Sequence, residues 1–398
     1  MRLLRDGYFV SVALTHLLVD ILNSQLAIVL VFLSPLLGLN NTDLGLITTV
    51  YITTSSLTQP LFGWLADRVP VNWYSGIGLL WMAGWFSAAI LAAGRASLLL
   101  LVIAGVGSGI FHPTGTERAT TRGRLLMAGR AATAASVFFL FGQVGLSLGP
   151  AIGGALLGRF GLRGLLVLGG LAVPVLANFF VQARRRGAAP GEKDAAHRAA
   201  SPPRGVGVRR SLALLAFALL VVMRTAPQQV SSTFIPKLLQ QQGFTPGQYG
   251  AIASLFMAGS AIGGVLGGAA ADRFGRRRTV VWTLAAGIAP LYYFPVASGA
   301  IQYALIFAAG ACSGASHSVI VVLAQSFMPR RMAFASGLTL GFMFASGSVG
   351  AYAAGYLADL YPLASVMQFS AVLVAVGALL GLTLEGERVS PTLTAAES

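Results

Sequence analysis

Charged side chains are scarce in this chain of 398 residues, and acidic ones are the scarcest. Only 10% of the residues are charged, with 12 Asp and Glu against 27 Lys and Arg. Soluble domains carry about 25% charged residues, so the composition excludes an ordinary soluble domain of this length.

Cysteine is almost absent as well, since Cys312 is the single one. One cysteine rules out a disulfide framework. The sequence also lacks a nucleotide-binding loop, a metal-ligand cluster and a nucleophile–base pair, so we expect no enzymatic activity, no cofactor and no bound metal. The first apolar run follows Arg2 and Arg5 and is too long for the core of a signal peptide, so we expect no cleavable signal.

Apolar sequence is what the chain has in abundance, with 56% hydrophobic residues and a mean hydropathy of +0.76. Crossing a membrane takes about 20 apolar residues in a helix, and twelve runs are long enough. We therefore predict an all-α membrane protein with twelve transmembrane helices. The predicted spans cover residues 8–34, 43–65, 72–94, 97–117, 128–157, 163–183, 211–236, 246–270, 279–298, 300–326, 332–358 and 364–384.

Two short motifs each occur twice, at the same spacing of about half the chain. Residues 63–68 read GWLADR and residues 268–273 read GAAADR, while 108–112 read SGIFH and 313–317 read SGASH. A constant offset indicates two homologous halves, and in so apolar a chain this indicates a transporter whose halves rock about a central site. We predict two pseudo-symmetric six-helix bundles, at 1–183 and 211–398.

Between the predicted bundles lies a basic segment, 184–210, which contains several arginines and three prolines and which we interpret as a cytoplasmic linker. Arg and Lys concentrate in the loops on the side of both termini, so both ends are expected in the cytoplasm of a bacterium, with the chain in its cytoplasmic (inner) membrane. This asymmetry also accounts for the net charge of +15 without a nucleic-acid partner. We expect a monomer whose partners are membrane lipids, protons and a small-molecule substrate.

Few ionisable side chains remain inside the predicted spans, and such residues are usually functional. Asp20 is the strongest candidate for proton coupling, because a carboxyl that is alternately desolvated and paired with a cation can couple proton binding to conformation. A permanent structural ion pair is the alternative. His16 lies one turn away and either relays protons or packs at an interface. His112 and Glu117, on the fourth span, complete the predicted proton-coupling set, with Glu117 at the cytoplasmic helix end.

Arg224 lies on the seventh span, one position before the repeat equivalent of Asp20, and is expected to face Asp20 across the centre. Its guanidinium fork suits carboxylate, phosphate or phosphonate, which favours an anionic or zwitterionic substrate. Alternatively, Arg224 only neutralises Asp20. Polar side chains on the same spans can orient a ligand or hold helices together. The predicted substrate-binding residues are Asp20, Gln25, His112, Arg224, Gln228 and His317.

With these motifs the chain resembles the major facilitator superfamily. The GWLADR and GAAADR segments look like the signature loop that follows its second and eighth spans, and residues 145–154, GLSLGPAIGG, look like the motif typical of its antiporters. The resemblance implies that the first, fourth, seventh and tenth spans line a central cavity. These spans carry the ionisable residues described above.

The repeated loops and the glycine-rich fifth span are expected to act in gating. An Asp at a helix end can accept hydrogen bonds from a neighbouring helix N-terminus, and the adjacent arginines can pair with acids or lipid phosphates. The predicted gating residues are Gly63, Asp67, Arg68, Gly149, Pro150, Gly268, Asp272 and Arg273.

A narrower resemblance is to the fosmidomycin resistance proteins. It rests on residues 15–20 (THLLVD), 107–113 (GSGIFHP), 147–150 (SLGP), 287–290 (GIAP), 324–325 (AQ) and 336–342. The resemblance implies an antiporter that exports a fosmidomycin-like drug or another small polar or anionic compound in exchange for protons, with the proton gradient as its energy source. The alternative is a proton-coupled symporter that imports an organic anion or metabolite.

Overall fold

A computed structural model describes residues 3–68, 73–92, 94–126, 131–186, 208–327 and 332–384. These residues are almost entirely helical and form thirteen α-helices. The helices are α1 (Gly7–Asn23), α2 (Gln25–Leu37), α3 (Asn41–Arg68), α4 (Tyr74–Leu91), α5 (Ala96–Leu126), α6 (Ala131–Phe160), α7 (Leu166–Arg186), α8 (Val208–Gln241), α9 (Pro246–Phe274), α10 (Arg276–Tyr293), α11 (Gly299–Phe327), α12 (Met332–Leu360) and α13 (Leu363–Gly381).

The predicted twelve-helix architecture is confirmed, because α1 and α2 form the two parts of one span over Gly7–Leu37 and each later helix matches one predicted run. Within the described residues, eight of these spans are long and apolar enough to cross a membrane. The break at Ser24 was not predicted. Ser24 Oγ and Gln25 Nε2 both donate to the carbonyl oxygen of Ile21, at 2.8 and 2.7 Å. Side chains that bond to backbone carbonyls in this way compete with the helical hydrogen-bond pattern and bend helices.

Two helix ends differ from the predicted boundaries. Helix α7 continues through Arg186 and α8 begins at Val208, so both ends of the predicted linker, 184–210, are helical. Residues 187–207 lie outside the described residues. Helix α5 continues to Leu126, beyond the apolar run that defined the prediction. The prediction that Glu117 ends its helix is therefore wrong, because more than two further turns follow it.

We call α1–α7 the N half and α8–α13 the C half. The two halves approach most closely where α3 crosses α12 and where α6 crosses α9, and glycines allow the contact. Gly45 of α3 lies against the backbone of Ala351 and Tyr352, and Gly154 of α6 lies against Gly250 of α9. Both crossings lie near the helix ends on the face opposite the one where the chain begins. We call this the distal face.

Polar bonds between the halves close the distal face. The carboxylate of Asp359, in the exposed last turn of α12, accepts the backbone N–H groups of Asn41 and Thr42, each at 2.9 Å, and the Thr42 hydroxyl at 2.6 Å. On the same face, Lys237 Nζ donates to Ser34 Oγ at 3.0 Å. Asp359 thus binds the N-terminus of α3, where the helix dipole favours an anion.

The protonation of Asp359 follows from this position at the solvent-exposed helix end, outside the membrane-spanning part. Partial burial acts to raise the pKa of Asp359, but the hydrogen bonds from Thr42 and Asn41 outweigh it and hold the pKa below its usual range. A carboxyl group with a lowered pKa is ionised at any pH above its ordinary pKa. It loses its charge only when the pH falls through the lowered pKa. The bond between the halves is therefore present at neutral and mildly acidic pH.

Candidate functional site

The acid–histidine cluster lies in the N half and consists of His16, Asp20 and His112. Asp20 Oδ2 is 3.2 Å from His16 Nε2, one turn earlier on α1. Asp20 Oδ1 is 3.5 Å from His112 Nε2 on α5. Asp20 and His16 are buried, whereas the His112 side chain is 25% exposed. The structure thus brings together three of the four predicted proton-coupling residues, with His112 as the most open member.

Further polar side chains position Asp20. Asn23 Nδ2 donates to Asp20 Oδ1 at 2.9 Å and to Ser108 Oγ at 3.0 Å. The hydroxyl of Tyr51, on α3, donates to Asn23 Oδ1 at 2.8 Å. Because the Tyr51 hydroxyl donates to the amide oxygen, it fixes the orientation in which the amide nitrogen faces Asp20.

Helix α6 makes room for the acid–histidine cluster by presenting glycines to α1. A Cβ at Gly142 would lie 2.5 Å from His16 Nε2 and 2.6 Å from Asp20 Oδ2. A Cβ at Gly145 would collide with the carbonyl oxygen of Leu17. The His16 ring stacks on Phe138 of α6 with the ring centroids 4.1 Å apart. The cluster is therefore built into the α1–α6 crossing.

The arginine–histidine cluster lies in the C half and consists of Arg224 on α8 with Ser313, Ser316 and His317 on α11. Arg224 is 2% exposed. Its Nε donates to Ser316 Oγ at 3.1 Å, its Nη1 faces His317 Nδ1 at 3.3 Å, and its Nη2 donates to the Ser313 carbonyl. All three partners are neutral acceptors. A buried guanidinium without a carboxylate is costly, so the cluster is suited to receive an anion.

The hydrogen bonds require a proton on Nδ1 in one of the repeat-related histidines and a bare Nδ1 in the other. Arginine only donates, so His317 Nδ1 must accept and the ring carries its proton on Nε2. His112 Nδ1 lies 2.9 Å from the Ser108 carbonyl, which only accepts, so this nitrogen carries a proton. The same scaffold therefore holds a histidine against an acid in one half and a histidine against an arginine in the other.

The alternative role of Arg224 is simple neutralisation of Asp20. Within the described residues, the charged groups within 4.0 Å of Asp20 are the two histidines, and Arg224 is not among them. In this conformation the two charges have separate partners. Neutralisation of Asp20 by direct pairing with Arg224 is therefore not what the structure shows.

The remaining predicted ligand residues differ in their placement. Gln25 is fully buried, and its Nε2 donates to the Gly149 carbonyl at 2.9 Å, which favours helix packing over substrate contact. Gln228 is half-buried on α8, one turn after Arg224. Glu117 is exposed on α5.

The first copy of the repeated loop motif is only partly within the described side chains. Gly63 of α3 packs against Pro113 of α5, where a Cβ added to the glycine would lie 3.6 Å from the proline Cβ. The guanidinium of Arg68 lies 4.0 Å from the centre of the Trp64 ring. The side chain of Asp67 lies outside the described set. The gating role of this copy stays a prediction.

In the second copy, Gly268 is half-buried on α9, and Asp272 and Arg273 are exposed at its end. The guanidinium of Arg273 lies 5.2 Å from the centre of the Phe274 ring. The gating role of this copy also stays a prediction.

The glycine-rich motif of α6 lies at two crossings. Gly149 packs directly against Ser24, at the break between α1 and α2. The carbonyl of Pro150 meets Gly250 of α9, across the boundary between the halves. These positions are suited to a gating role, because a change in either crossing moves α6 relative to its neighbours.

The acid–histidine cluster is also compact enough to be considered for metal binding. One ligand-type atom from each of His16, Asp20 and His112 lies within 4.8 Å of the others. Two imidazoles and a carboxylate are ligands that several transition metals accept. Experiments on this cluster therefore need a chelator control.

Sequence reasoning missed Ser316 of the arginine–histidine cluster, and it missed Tyr51 and Phe138, which position the acid–histidine cluster from outside. Ser316 precedes His317, and the doubled SGxxH motif could have drawn attention to it. Tyr51 and Phe138 carry no comparable signal, because their contacts depend on how α3 and α6 pack against α1.

Two bundles joined across glycine-lined crossings, with ionisable groups buried at repeat-related positions, define a membrane transporter rather than an enzyme. The family model of the Major Facilitator Superfamily matches residues 12–228 and 213–398. The chain therefore belongs to the major facilitator superfamily and is an integral membrane protein, which confirms the resemblance seen in the sequence.

Relatives cover nearly the whole chain. The fosmidomycin resistance protein of Escherichia coli K12 is 30% identical over 392 residues, which cover 94% of this chain and 91% of that protein. The uncharacterized MFS-type transporter YfnC of Bacillus subtilis 168 is 27% identical over 376 residues, with 93% and 91% covered. A crystal structure of a bacterial homolog to the human lysosomal transporter Spinster matches with a TM-score of 0.77 at 14% identity, covering 95% of this chain and 96% of that one. This last likeness shows the fold alone.

Proposed function

We propose that the protein is a proton-coupled antiporter that exports a small polar or anionic compound across the bacterial cytoplasmic membrane. One observation carries the proposal: repeat-related positions in the two halves hold a buried carboxyl with two histidines and a buried guanidinium with one histidine. A site that binds protons and a site that binds an anion are then built from one inherited scaffold, and movement of the halves can link the two.

The acid–histidine cluster supplies the proton side of the proposal. Asp20 is buried, and its two partners are histidines, the side chains that proteins commonly use as proton shuttles. His112 is the partially exposed member, so it is the group through which protons exchange with the cavity. The proton gradient is the energy source, and the transport cycle requires no cofactor.

The arginine–histidine cluster supplies the substrate side. The guanidinium of Arg224 presents N–H groups that suit a planar carboxylate or a phosphonate, and the Nε2–H of His317 adds a donor. Gln228, one turn further along α8, is placed to contact the rest of the ligand. The relation to a fosmidomycin resistance protein makes a phosphonate the first compound to test.

Closure of the distal face supports alternating access. We propose that both termini lie in the cytoplasm, so that the distal face is the outer one and the repeated loop motifs lie on the inner one. The described conformation, with α3 on α12 and α6 on α9, is then shut on the outside. We expect the protein to act as a monomer in contact with membrane lipids.

Proton-coupled import of an organic anion is the second candidate, and the charges favour it in one respect. Protonation makes the acid–histidine cluster more positive, which would strengthen binding of an anion in the same cavity. Coupled entry of proton and anion would follow. Antiport instead requires that protonation and substrate binding exclude each other.

The direction of proton movement separates the two candidates. Purified protein is reconstituted into liposomes that contain a pH-sensitive dye, and fosmidomycin is added outside. Antiport predicts that the lumen becomes more alkaline as the drug enters, whereas symport predicts that it becomes more acidic. Transport of fosmidomycin with no proton movement would overturn proton coupling. Liposomes with the Arg224→Gln protein are the control, and we expect no drug-dependent signal from them.

A further inference from the structure

Both histidines of the acid–histidine cluster have their Nδ1 atoms bound to backbone carbonyls. His16 Nδ1 lies 2.9 Å from the Phe138 carbonyl oxygen, and His112 Nδ1 lies 2.9 Å from the Ser108 carbonyl oxygen. A carbonyl oxygen only accepts hydrogen bonds, so each of these ring nitrogens must carry a proton. When either ring is neutral, its Nε2 therefore has a lone pair and no hydrogen.

The two Nε2 atoms face different oxygens of one carboxyl group. His16 Nε2 is 3.2 Å from Asp20 Oδ2, and His112 Nε2 is 3.5 Å from Asp20 Oδ1. With a neutral ring and an ionised carboxyl, each contact would place two lone pairs against each other. A proton in each contact turns this repulsion into a charge-assisted hydrogen bond. We propose that the acid–histidine cluster binds two protons in this conformation, one at each histidine.

Among the described residues, no further donor side chain is placed between Asp20 and the two histidines. Asn23 Nδ2 donates to Oδ1, which leaves Oδ2 to His16. From α3 comes the Tyr51 hydroxyl, which donates to Asn23, and from α6 come the glycines at 142 and 145. Within the described residues, the charged or titratable groups that face Asp20 are thus the two histidines and the hydroxyl of Tyr51. Two imidazolium rings and one carboxylate give the cluster a charge of +1.

The two protons differ in their access to solvent. The His112 side chain is 25% exposed, whereas the His16 side chain is 3% exposed and its ring lies edge-on to that of His112, with the centroids 5.3 Å apart. Protons therefore enter and leave through His112, and the proton at His16 exchanges after it. If the proposed function holds, up to two protons move in each transport cycle. The proton at His16, the more buried of the two, is then the one more tightly coupled to the conformational change.

Nitrogen NMR of histidine tests the proton count without a substrate. The chain has four histidines, so the full-length protein labelled with nitrogen-15 in histidine gives a small set of signals. The fourth histidine, His197, lies outside the described residues and is replaced with Gln in the protein that is measured. In lipid nanodiscs at neutral pH, before and after a chelator is added, we expect this His197→Gln protein to show two rings protonated on both nitrogens and one neutral ring with its proton on Nε2, which is His317. A change in the His16 or His112 signal when the chelator is added would indicate a bound metal in place of a proton and would overturn the inference.

Single variants assign the signals. His16→Gln and His112→Gln should each remove one doubly protonated ring and keep the other, and Asp20→Asn should turn both rings neutral with the proton on Nδ1. The unchanged His317 signal reports that each variant is folded. One doubly protonated ring or none in the His197→Gln protein without further substitution would overturn the two-proton inference. Proton coupling itself is tested separately, by the liposome measurement described above.

Discussion

Asp20 and Arg224 are buried at nearly equivalent positions of the two halves, and each is stabilised in a different way. Asp20 has two histidines as partners, so its charge is balanced by groups that gain and lose protons. Arg224 donates to neutral oxygens and to a ring nitrogen, so its positive charge is available to pair with an anionic ligand. At the scale of single residues, this difference is what separates a proton site from an anion site.

Replacing Arg224 with lysine should weaken binding of fosmidomycin or a related phosphonate by about tenfold to a hundredfold. The planar fork is lost, and a charge-assisted hydrogen bond is worth about 1.5–3 kcal/mol. Isothermal titration of the purified protein in detergent measures the change. Arg163→Lys, an exposed position, is the control and should bind like the wild type. Equal affinity for Arg224→Lys would mean that the residue supplies charge alone.

The residues of both clusters were largely predictable from the sequence, because an ionisable side chain in an apolar run stands out. Their partners were not. The bond from Tyr51 to Asn23 joins α3 to α1, and the pairing of Arg224 with His317 joins α8 to α11. Such contacts depend on how the helices pack against each other. A single sequence constrains this packing only through the repeat that relates its two halves.

At the scale of elements, the crossing of α1 on α6 determines the geometry of the proton site. Glycines at 142, 145 and 149 of α6 let the two helices approach so closely that a methyl group would collide with α1. In membranes, small residues allow helices to pack in this way. The break at Ser24 lies on the same crossing, so the shape of the first span and the composition of α6 are matched.

A methyl group at Gly145 should therefore destabilise the protein and impair transport. Its Cβ would collide with the Leu17 carbonyl, and overpacking of this kind costs about 1–3 kcal/mol. Thermal unfolding in detergent should show a lower melting temperature for Gly145→Ala. Gly170→Ala on α7 is the matched control, because a Cβ there meets nothing within 4 Å. If both variants melt at the same temperature as the wild type, the crossing is looser than described.

Helix positions followed from hydropathy, whereas helix ends and the break did not. The described helices extend beyond the apolar runs, as α5 does to Leu126 and α8 does from Val208, because polar residues continue a helix outside the hydrocarbon core. The break at Ser24 arises from side chains that bond to the Ile21 carbonyl, which an average of hydropathy over a window does not register.

At the scale of the whole molecule, the distal face is held shut by a few bonds between the halves. The carboxylate of Asp359 at the N-terminus of α3 is the most connected of these, since it receives two backbone N–H groups and one hydroxyl. Its lowered pKa keeps it ionised at mildly acidic pH. We therefore expect this bond to hold the closed state without responding to the proton gradient.

Asp359→Ala should shift the population toward states with an open distal face. Spin labels at Leu36→Cys and Leu360→Cys, both exposed positions on this face, report the distance between the halves in a Cys312→Ser background. Longer distances should become more populated in the variant. The control is Asp43→Ala, because Asp43 bonds to the backbone of Asn40 within the N half. An equal shift in the two variants would show that Asp359 does not join the halves.

The most direct test of the central claim is transport by Asp20→Asn in proteoliposomes, using fosmidomycin as the probe. The variant keeps the shape of Asp20 but loses the ionisable carboxyl. We predict that uptake driven by a proton gradient disappears, while exchange of labelled for unlabelled drug across the membrane persists, because Arg224 still binds the anion. Gradient-driven uptake at the wild-type rate in Asp20→Asn would contradict the account.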